Sequence, residues 1–110
     1  MKVRSFKVEK SLAEQAWEIV RRRKTSLSSE IRKRVERIID ENIPIDDLIS
    51  SSELTILTLK IPDDLDSKIE KYLTTAQVKR SELFRKAIRM MIEEEYESKD
   101  KESFQTGIVS

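Results

Sequence analysis

The chain has 110 residues, of which 39% are charged and 5% are aromatic, so it can form one domain, or two very small ones, with a thin aliphatic core. It contains no histidine and no cysteine, which excludes disulfides and removes the usual catalytic bases, nucleophiles and metal ligands. No apolar run is long enough to span a membrane, and the N-terminus lacks the apolar core of a signal peptide. We therefore expect a cytoplasmic protein that is not an enzyme, with no cofactor, no small-molecule substrate and no membrane partner.

The net charge of +1 hides an uneven distribution along the chain. Residues 1–41 carry 12 basic and 7 acidic side chains, whereas residues 54–95 carry 8 of each. The N-terminal third is therefore the part that we expect to meet a polyanion. The alternative is that its charges only solvate a helix surface.

The first predicted unit covers residues 1–41. Polar and apolar residues alternate from Ser5 to Val8, which predicts a short strand with Phe6 and Val8 on one face. A helix is predicted to start near Ser11, and its apolar stripe consists of Leu12, Ala16, Ile19 and Val20. Ser26 is the predicted N-cap of a second helix, which runs to about Glu41 with a stripe of Ile31, Val35, Ile38 and Ile39.

Residues 42–53 form a predicted linker, NIPIDDLISSSE. Its isoleucines and Leu48 make it too apolar to be only a tether, so we expect it to form a short helix or to pack on a neighbouring element. Its twelve residues can span about 40 Å at most.

The second predicted unit covers residues 54–95. Leu57, Leu59 and Ile61 alternate with Ile56, Thr58 and Lys60, and Pro62 ends this strand. A helix follows with a stripe of Leu65, Ile69, Tyr72, Leu73 and Ala76. After a break near residues 77–79, a further helix carries Leu83, Phe84, Ala87, Ile88, Met90, Met91 and Ile92. Residues 96–110 are polar and lack a pattern, so we predict a disordered tail.

The two units are similar to one another. Phe6 aligns with Leu59 and Val8 with Ile61 at a spacing of 53 residues, whereas Ser29-Glu30-Ile31 aligns with Ser81-Glu82-Leu83 at a spacing of 52. A unit of about forty residues buries too little apolar surface to fold alone, so two units are expected to pair. The linker permits pairing within one chain or between two chains, and we favour pairing within one chain.

The strings LKIPDDL, before the first helix of the second unit, and KRSELFRKAI, at the start of the next helix, resemble the ribbon-helix-helix family of DNA-binding regulators (the MetJ/Arc type). The resemblance implies a mainly α protein with short β-strands and two ribbon-helix-helix (βαα) repeats. Their strands would pair as an antiparallel ribbon over a four-helix core. Tandem forms of this fold resemble regulators from archaea and their viruses.

The resemblance also implies which residues contact DNA. Outward-facing strand residues of the family contact base edges in the major groove, and the matching residues are Val3, Ser5, Lys7, Ile56, Thr58 and Lys60. The start of the second helix in each unit binds phosphate in the family, and the matching residues are Ser26, Leu27, Ser28, Ser29, Lys79, Arg80 and Ser81. The alternatives are that the strand residues only face water and that the serines only cap helices. Arg21, Arg22 and Arg23 are equally suited to phosphate contact and to neutralising the end of a helix.

Two features depart from the family. Many members have glycine between the two helices, whereas here the turns offer Lys24 and Ala76-Gln77. The first strand has Arg4 where the second has Leu57, so its N-terminal end is expected to fray or to point differently.

The function implied by the resemblance is a sequence-specific regulator of transcription, most simply a repressor, that binds double-stranded DNA. Such units are also expected to form a homodimer or a cooperative oligomer on DNA. One alternative is an antitoxin whose C-terminal tail binds a toxin. Another is a helical protein-interaction module that binds DNA weakly and without sequence preference.

Overall fold

The two strands and their connections to the helices position the candidate site. The computed structural model describes the backbone of residues 1–46 and 53–109, and the side chains of these residues up to Glu97. Its elements in chain order are β1 (Lys2–Glu9), α1 (Lys10–Arg23), α2 (Leu27–Glu41), β2 (Leu54–Ile61), α3 (Asp63–Ala76) and α4 (Arg80–Val109). This described part of the chain is mainly helical, with one two-stranded sheet.

The sheet pairs β1 with β2 in antiparallel orientation within the same chain. Ser5 lies opposite Thr58 at the middle of the ladder. Because side chains alternate between faces, one face of the sheet turns towards the helices, and its buried side chains are Phe6, Val8, Leu57, Leu59 and Ile61. This confirms the face predicted from the period of two in both strands.

The buried face of the sheet packs on the apolar stripes of the helices, and these side chains form one hydrophobic cluster. The fully buried ring of Phe84 on α4 lies with its centroid 5.2 Å from that of Phe6, in a tilted arrangement typical of aromatic pairs. Most predicted stripe residues are buried, but Leu12, Ile39, Tyr72 and Leu73 lie only partly buried at the edge of the cluster. Ala76, also predicted for a stripe, is exposed.

Three helices end on a non-glycine residue in the left-handed conformation. Lys24, Asn42 and Gln77 have φ angles of 53°, 52° and 57° and terminate α1, α2 and α3. A left-handed conformation brings Cβ close to the following carbonyl oxygen and costs about 1–2 kcal/mol for most residues, whereas asparagine tolerates it better. The turns after α1 and α3 therefore adopt the geometry for which glycine is preferred, without having glycine.

Lys24→Gly and Gln77→Gly are each expected to raise the free energy of unfolding by about 0.5–1 kcal/mol. Glycine relieves the steric strain at these positions, and its larger entropy in the unfolded chain offsets only part of that gain. Urea unfolding followed by circular dichroism measures the difference. Asn42→Gly is the matched control and should gain less; a loss of stability at Lys24 or Gln77 would contradict the strain argument.

The helix starts agree with the sequence prediction in one case and differ in another. Ser26 is the N-cap of α2, and its Oγ accepts a hydrogen bond of 3.1 Å from the Ser29 N–H, as predicted. In contrast, α1 begins at Lys10 instead of Ser11, and no side chain caps it. The cause is that β1 runs directly into α1, where the Lys10 N–H donates to the carbonyl of Glu53 at 2.9 Å.

The starts of the helices show one regular spacing along the chain. The starts of α1 and α3 are 53 residues apart, and so are the starts of α2 and α4. Ser5 and Thr58 are also 53 residues apart. From the sequence, the second pair of helices was compared at a spacing of 52 residues, one less than the separation of their starts. The shared Ser-Glu string gives the spacing of 52, and at a spacing of 53 the buried residues Ile31, Val35 and Ile38 match the buried residues Phe84, Ile88 and Met91.

The segments expected to lack regular structure differ from one another. The helix α4 continues through Val109, so its backbone is helical over residues 96–109, where the sequence predicted a disordered tail. No proline interrupts this segment, and its only glycine is Gly107. In the linker, Ile43 and Ile45 pack partly buried against the core, whereas Leu48 and Ile49 lie outside the described residues.

Arg4 is ion-paired, although the sequence predicted that this end of β1 would fray. Its Nε donates to Asp66 Oδ1 at 3.1 Å, and its second guanidinium nitrogen donates to Oδ2 at 2.8 Å. This bidentate geometry is the strong form of an arginine–carboxylate pair. The hydrogen bonds from Arg4 lower the pKa of Asp66 below its ordinary value of 3.8, and burial of the carboxyl opposes that shift.

Asp66→Asn is expected to destabilise the protein at neutral pH and to lose this effect in acid. A carboxyl whose pKa is lower in the folded state stabilises the fold above its unfolded pKa, and this contribution is lost as pH falls through the folded pKa. The difference in unfolding free energy from wild type should thus be constant above about pH 5 and shrink below about pH 4. Urea unfolding at several pH values measures it. Arg4→Gln should give the same profile, and the double variant should add little; an unchanged difference at about pH 2–3 would contradict this assignment.

Candidate nucleic-acid interface

The outer face of the sheet carries six exposed side chains, which we call the ribbon face: Val3, Ser5, Lys7, Ile56, Thr58 and Lys60. All six were predicted from the alternation of the strands. The ladder arranges them as three cross-strand pairs, with Val3 opposite Lys60, Ser5 opposite Thr58, and Lys7 opposite Ile56. A hydroxyl pair thus lies at the centre, and a lysine beside an aliphatic side chain lies on either side of it.

The centre of the ribbon face is polar and accessible. The hydroxyl oxygens of Ser5 and Thr58 lie 3.1 Å apart, and either can donate to the other. Each hydroxyl keeps further capacity to donate or accept towards a ligand. The flanking side chains of Val3 and Ile56 are each 62% exposed, so apolar surface is accessible on both sides of the hydroxyl pair.

The backbone of each ribbon lysine is held by a helix. The Lys60 N–H donates to Ser28 Oγ at 3.2 Å, and the Lys60 carbonyl accepts from Arg32 at 2.8 Å, so the start of α2 lies beside this end of β2. The Lys7 carbonyl accepts from Arg85 of α4 at 2.9 Å. Both lysine side chains are exposed, so each extends a cation into the solvent from a backbone that hydrogen bonds hold in place.

Sequence analysis did not identify Arg32 and Arg85 as part of the site. They occupy corresponding positions in α2 and α4, and each donates to the carbonyl of a ribbon lysine. A spacing of 53 residues aligns Arg32 with Arg85. The spacing of 52 residues used in the sequence analysis does not. They position the ribbon lysines and place two further cations next to the ribbon face.

At the start of α2, the predicted phosphate-binding residues have divided roles. The Ser26 hydroxyl caps the helix and the Ser28 hydroxyl binds the β2 backbone, so both are already engaged. The side chain of Leu27 is buried in the core, which leaves only its backbone N–H for an anion. Ser29 is half-buried. The available chemistry at this end is thus mainly that of the helix N-terminus and its dipole.

The start of α4 is cationic. Lys79 is exposed, and its N–H donates to Glu82 at 3.4 Å, an arrangement similar to a capping box. Arg80 is ion-paired with Glu70 of α3, so its charge is partly neutralised. Ser81 is half-buried. The two helix starts beside the ribbon face therefore differ in charge, although they correspond in position.

The arginines at the end of α1 are largely engaged with α4. Arg22 and Arg23 form ion pairs with Glu95 at 3.4 and 2.5 Å. Arg21 is exposed. The ion pairs of Arg22 and Arg23 attach α1 to α4, a role that differs from both phosphate contact and neutralising the end of the helix.

The side chains of the ribbon face have the chemistry to bind a regular, extended polyanion. It combines two lysines, two hydroxyls and two aliphatic groups on a rigid ladder, flanked by helix N-termini. No cluster of acidic side chains arranged to hold a metal occurs among the described residues, and no helix in the same part of the chain is long and apolar enough to cross a membrane. Comparison with protein-family models, curated proteins and solved structures gives no match for this chain.

Proposed function

We propose that the protein is a sequence-specific regulator of transcription, acting as a repressor, that binds double-stranded DNA with a two-stranded β-ribbon in the major groove. The observation that carries the proposal is the ribbon face, whose six exposed side chains form three cross-strand pairs on a ladder fixed by the helices. A repressor of this kind would occlude the promoter that contains its site.

The ribbon face has the chemistry that base recognition in the major groove requires. A two-stranded ribbon fits this groove, where each base pair presents a distinct pattern of donors and acceptors. Lys7 and Lys60 would donate to guanine O6 and N7, and the hydroxyls of Ser5 and Thr58 would bind either donors or acceptors. The exposed side chains of Val3 and Ile56 would make apolar contacts with thymine methyl groups.

The two helix starts would hold the DNA backbone on either side of the ribbon. The N-terminus of α2 lies beside Lys60, and α4 contacts the backbone at Lys7, so both helices are close to the ends of the ribbon face. Free N–H groups and the positive end of a helix dipole bind phosphate, and Lys79 adds a cation at α4. Such contacts fix the register of the protein on DNA but carry no sequence information.

The arrangement also supports a tandem ribbon-helix-helix protein, in which the first half (residues 1–41) and the second half (residues 54–95) are repeats. In this proposal the four helices form the core beneath the ribbon. The uniform spacing of corresponding helices supports it, as does the register of the sheet. At that spacing Ser5 corresponds to Thr58, its own ladder partner, so a pseudo-twofold axis passes between them.

Fluorescence anisotropy tests the proposal by comparing DNA from upstream of the gene with a scrambled duplex of equal length. At about 200 mM salt, where nonspecific binding is weak, the upstream DNA should bind at least about 10³-fold more tightly. A library selection for bound duplexes extends the search if the upstream DNA lacks the site. Equal and salt-sensitive binding to every duplex would overturn sequence specificity and favour a protein-interaction module.

A further inference from the structure

Several ion pairs in the described structure join the first half of the chain to the second half. Arg4 pairs with Asp66, Arg34 pairs with Glu94 at 2.8 Å, and Arg89 pairs with Glu9 at 3.1 Å. Most of these side chains are at least half-buried, and each pair joins a charge of one half to an opposite charge of the other, although Arg34 is also bonded to Glu30 within α2. If the halves are repeats, each residue of one half has a counterpart at the same position in the other half. When two like halves pair, that counterpart takes the place of the ion-pair partner.

We infer that these ion pairs specify pairing between unlike halves and oppose pairing between two first halves or two second halves. The partner that fits each half is therefore the other half of this sequence, and not a second copy of itself. The inference rests on the repeat in the proposed function, but it does not depend on DNA binding.

The Arg4–Asp66 pair opposes both kinds of like pairing. The residue that corresponds to Asp66 in the first half is Ala13, so two first halves would place Arg4 against an alanine. The residue that corresponds to Arg4 in the second half is Leu57, so two second halves would place Asp66 against a leucine. The side chain of Asp66 is only 8% exposed, and burying this carboxylate without a counter-ion is costly.

The Glu9–Arg89 pair acts in the same direction. Arg89 corresponds to Glu36, so pairing of two first halves would bring Glu9 towards a second carboxylate. Glu9 corresponds to Pro62, so pairing of two second halves would place Arg89 beside a proline. Like charges at such a contact destabilise it, and a proline side chain offers no hydrogen bond.

The Arg34–Glu94 pair opposes only one of the two alternatives. Arg34 corresponds to Ala87, so two second halves would leave Glu94 opposite alanine. Glu94 corresponds to Glu41, so two first halves would still offer Arg34 a carboxylate. Pairing between first halves is therefore opposed by the contacts of Arg4 and Glu9, and pairing between second halves by all three.

Cysteine cross-linking at the centre of the ribbon tests this inference directly, because the chain has no cysteine of its own. Ser5 lies opposite Thr58 in the observed pairing, whereas two paired first halves would place Ser5 opposite Ser5 of another chain. Directly opposed residues on antiparallel strands are close enough for a disulfide. Under mild oxidation, the double variant Ser5→Cys/Thr58→Cys should cross-link almost completely.

The single variants Ser5→Cys and Thr58→Cys should form no more covalent dimer than the control Lys7→Cys. Lys7 is also exposed on the ribbon face but lies away from the axis, so it reports random collisions. Rapid dimer formation by either single variant would overturn the inference. Failure of the double variant to cross-link would overturn it as well, because the observed register would then be absent.

Charge reversal tests whether the ion pairs cause the selectivity. Arg4→Asp and Asp66→Arg should each lower the urea midpoint, and the double reversal should recover most of the loss. The control is reversal of Lys68 and Asp40, an exposed pair whose members should each have a small effect. A double reversal no more stable than the sum of its parts would overturn the role of this pair. None of these measurements involves DNA, so a failure here is separate from a failure of the proposed function.

Discussion

Replacing both ribbon lysines, Lys7→Ala with Lys60→Ala, is expected to abolish sequence preference for DNA and to leave the fold intact. Each contact from lysine to guanine contributes about 1–3 kcal/mol of discrimination, so losing two should reduce specificity by about 30-fold to 10⁴-fold. The fold should persist because both side chains are exposed and their backbone hydrogen bonds do not depend on them. Anisotropy with specific and scrambled duplexes measures the ratio, and circular dichroism confirms the fold.

The matched control removes two lysine charges from a different part of the surface. Lys68 and Lys71 are exposed on α3. Lys68 pairs with Asp40 near the C-terminal end of α2, whereas the N-terminal end of α2 lies beside the ribbon face. Lys68→Ala with Lys71→Ala should change the specificity ratio by less than about 3-fold, because these side chains contribute at most to general attraction. If the two double variants lost specificity equally, net charge and not the ribbon face would determine binding.

Phe84→Ala is expected to lower the free energy of unfolding by about 3–5 kcal/mol, the range for deleting a buried aromatic side chain. Phe84 has no exposed surface and contacts Phe6 of β1. The sheet has only two strands and only one buried face, so its position depends strongly on this layer. Urea unfolding followed by circular dichroism measures the effect.

Two comparison variants define what this loss means. Tyr96→Ala removes an aromatic ring that is 54% exposed and one hydrogen bond to Gln15, so it should cost about 1 kcal/mol or less. Phe84→Leu keeps most of the apolar volume and should recover much of the lost stability. A cost for Phe84→Ala as small as that for Tyr96→Ala would show that α4 does not support the ribbon.

Local patterns in the sequence were sufficient for the ribbon face and for most of the core. Alternation alone divided the strand residues correctly, because a strand has only two faces and one of them must be buried. The resemblance, and not a local pattern, pointed to Lys24 and to Ala76-Gln77 as the turns where glycine is usual, and Lys24 and Gln77 are left-handed. The N-cap role of Ser26 followed from its side-chain chemistry.

Contacts between distant residues could not be found in the same way. Arg4 seemed to be a defect in β1, because its partner Asp66 lies far away in the chain and nothing in the local sequence indicates it. Glu30 and Arg34 interrupt a helix stripe with charge, yet both are buried and bonded to one another. The residues 53 positions further along the chain, Leu83 and Ala87, are apolar, so local patterns do not match α2 with α4 at that spacing.

The origin of both strands in one chain has a consequence for how such a face can change over evolution. In a regulator built from two identical chains, a single substitution appears twice and alters both sides of the axis together. Here Lys7 and Lys60 are encoded separately, and so are Val3 and Ile56. One mutation therefore changes one side of the ribbon face, and the two sides can diverge step by step while the other side keeps its contacts.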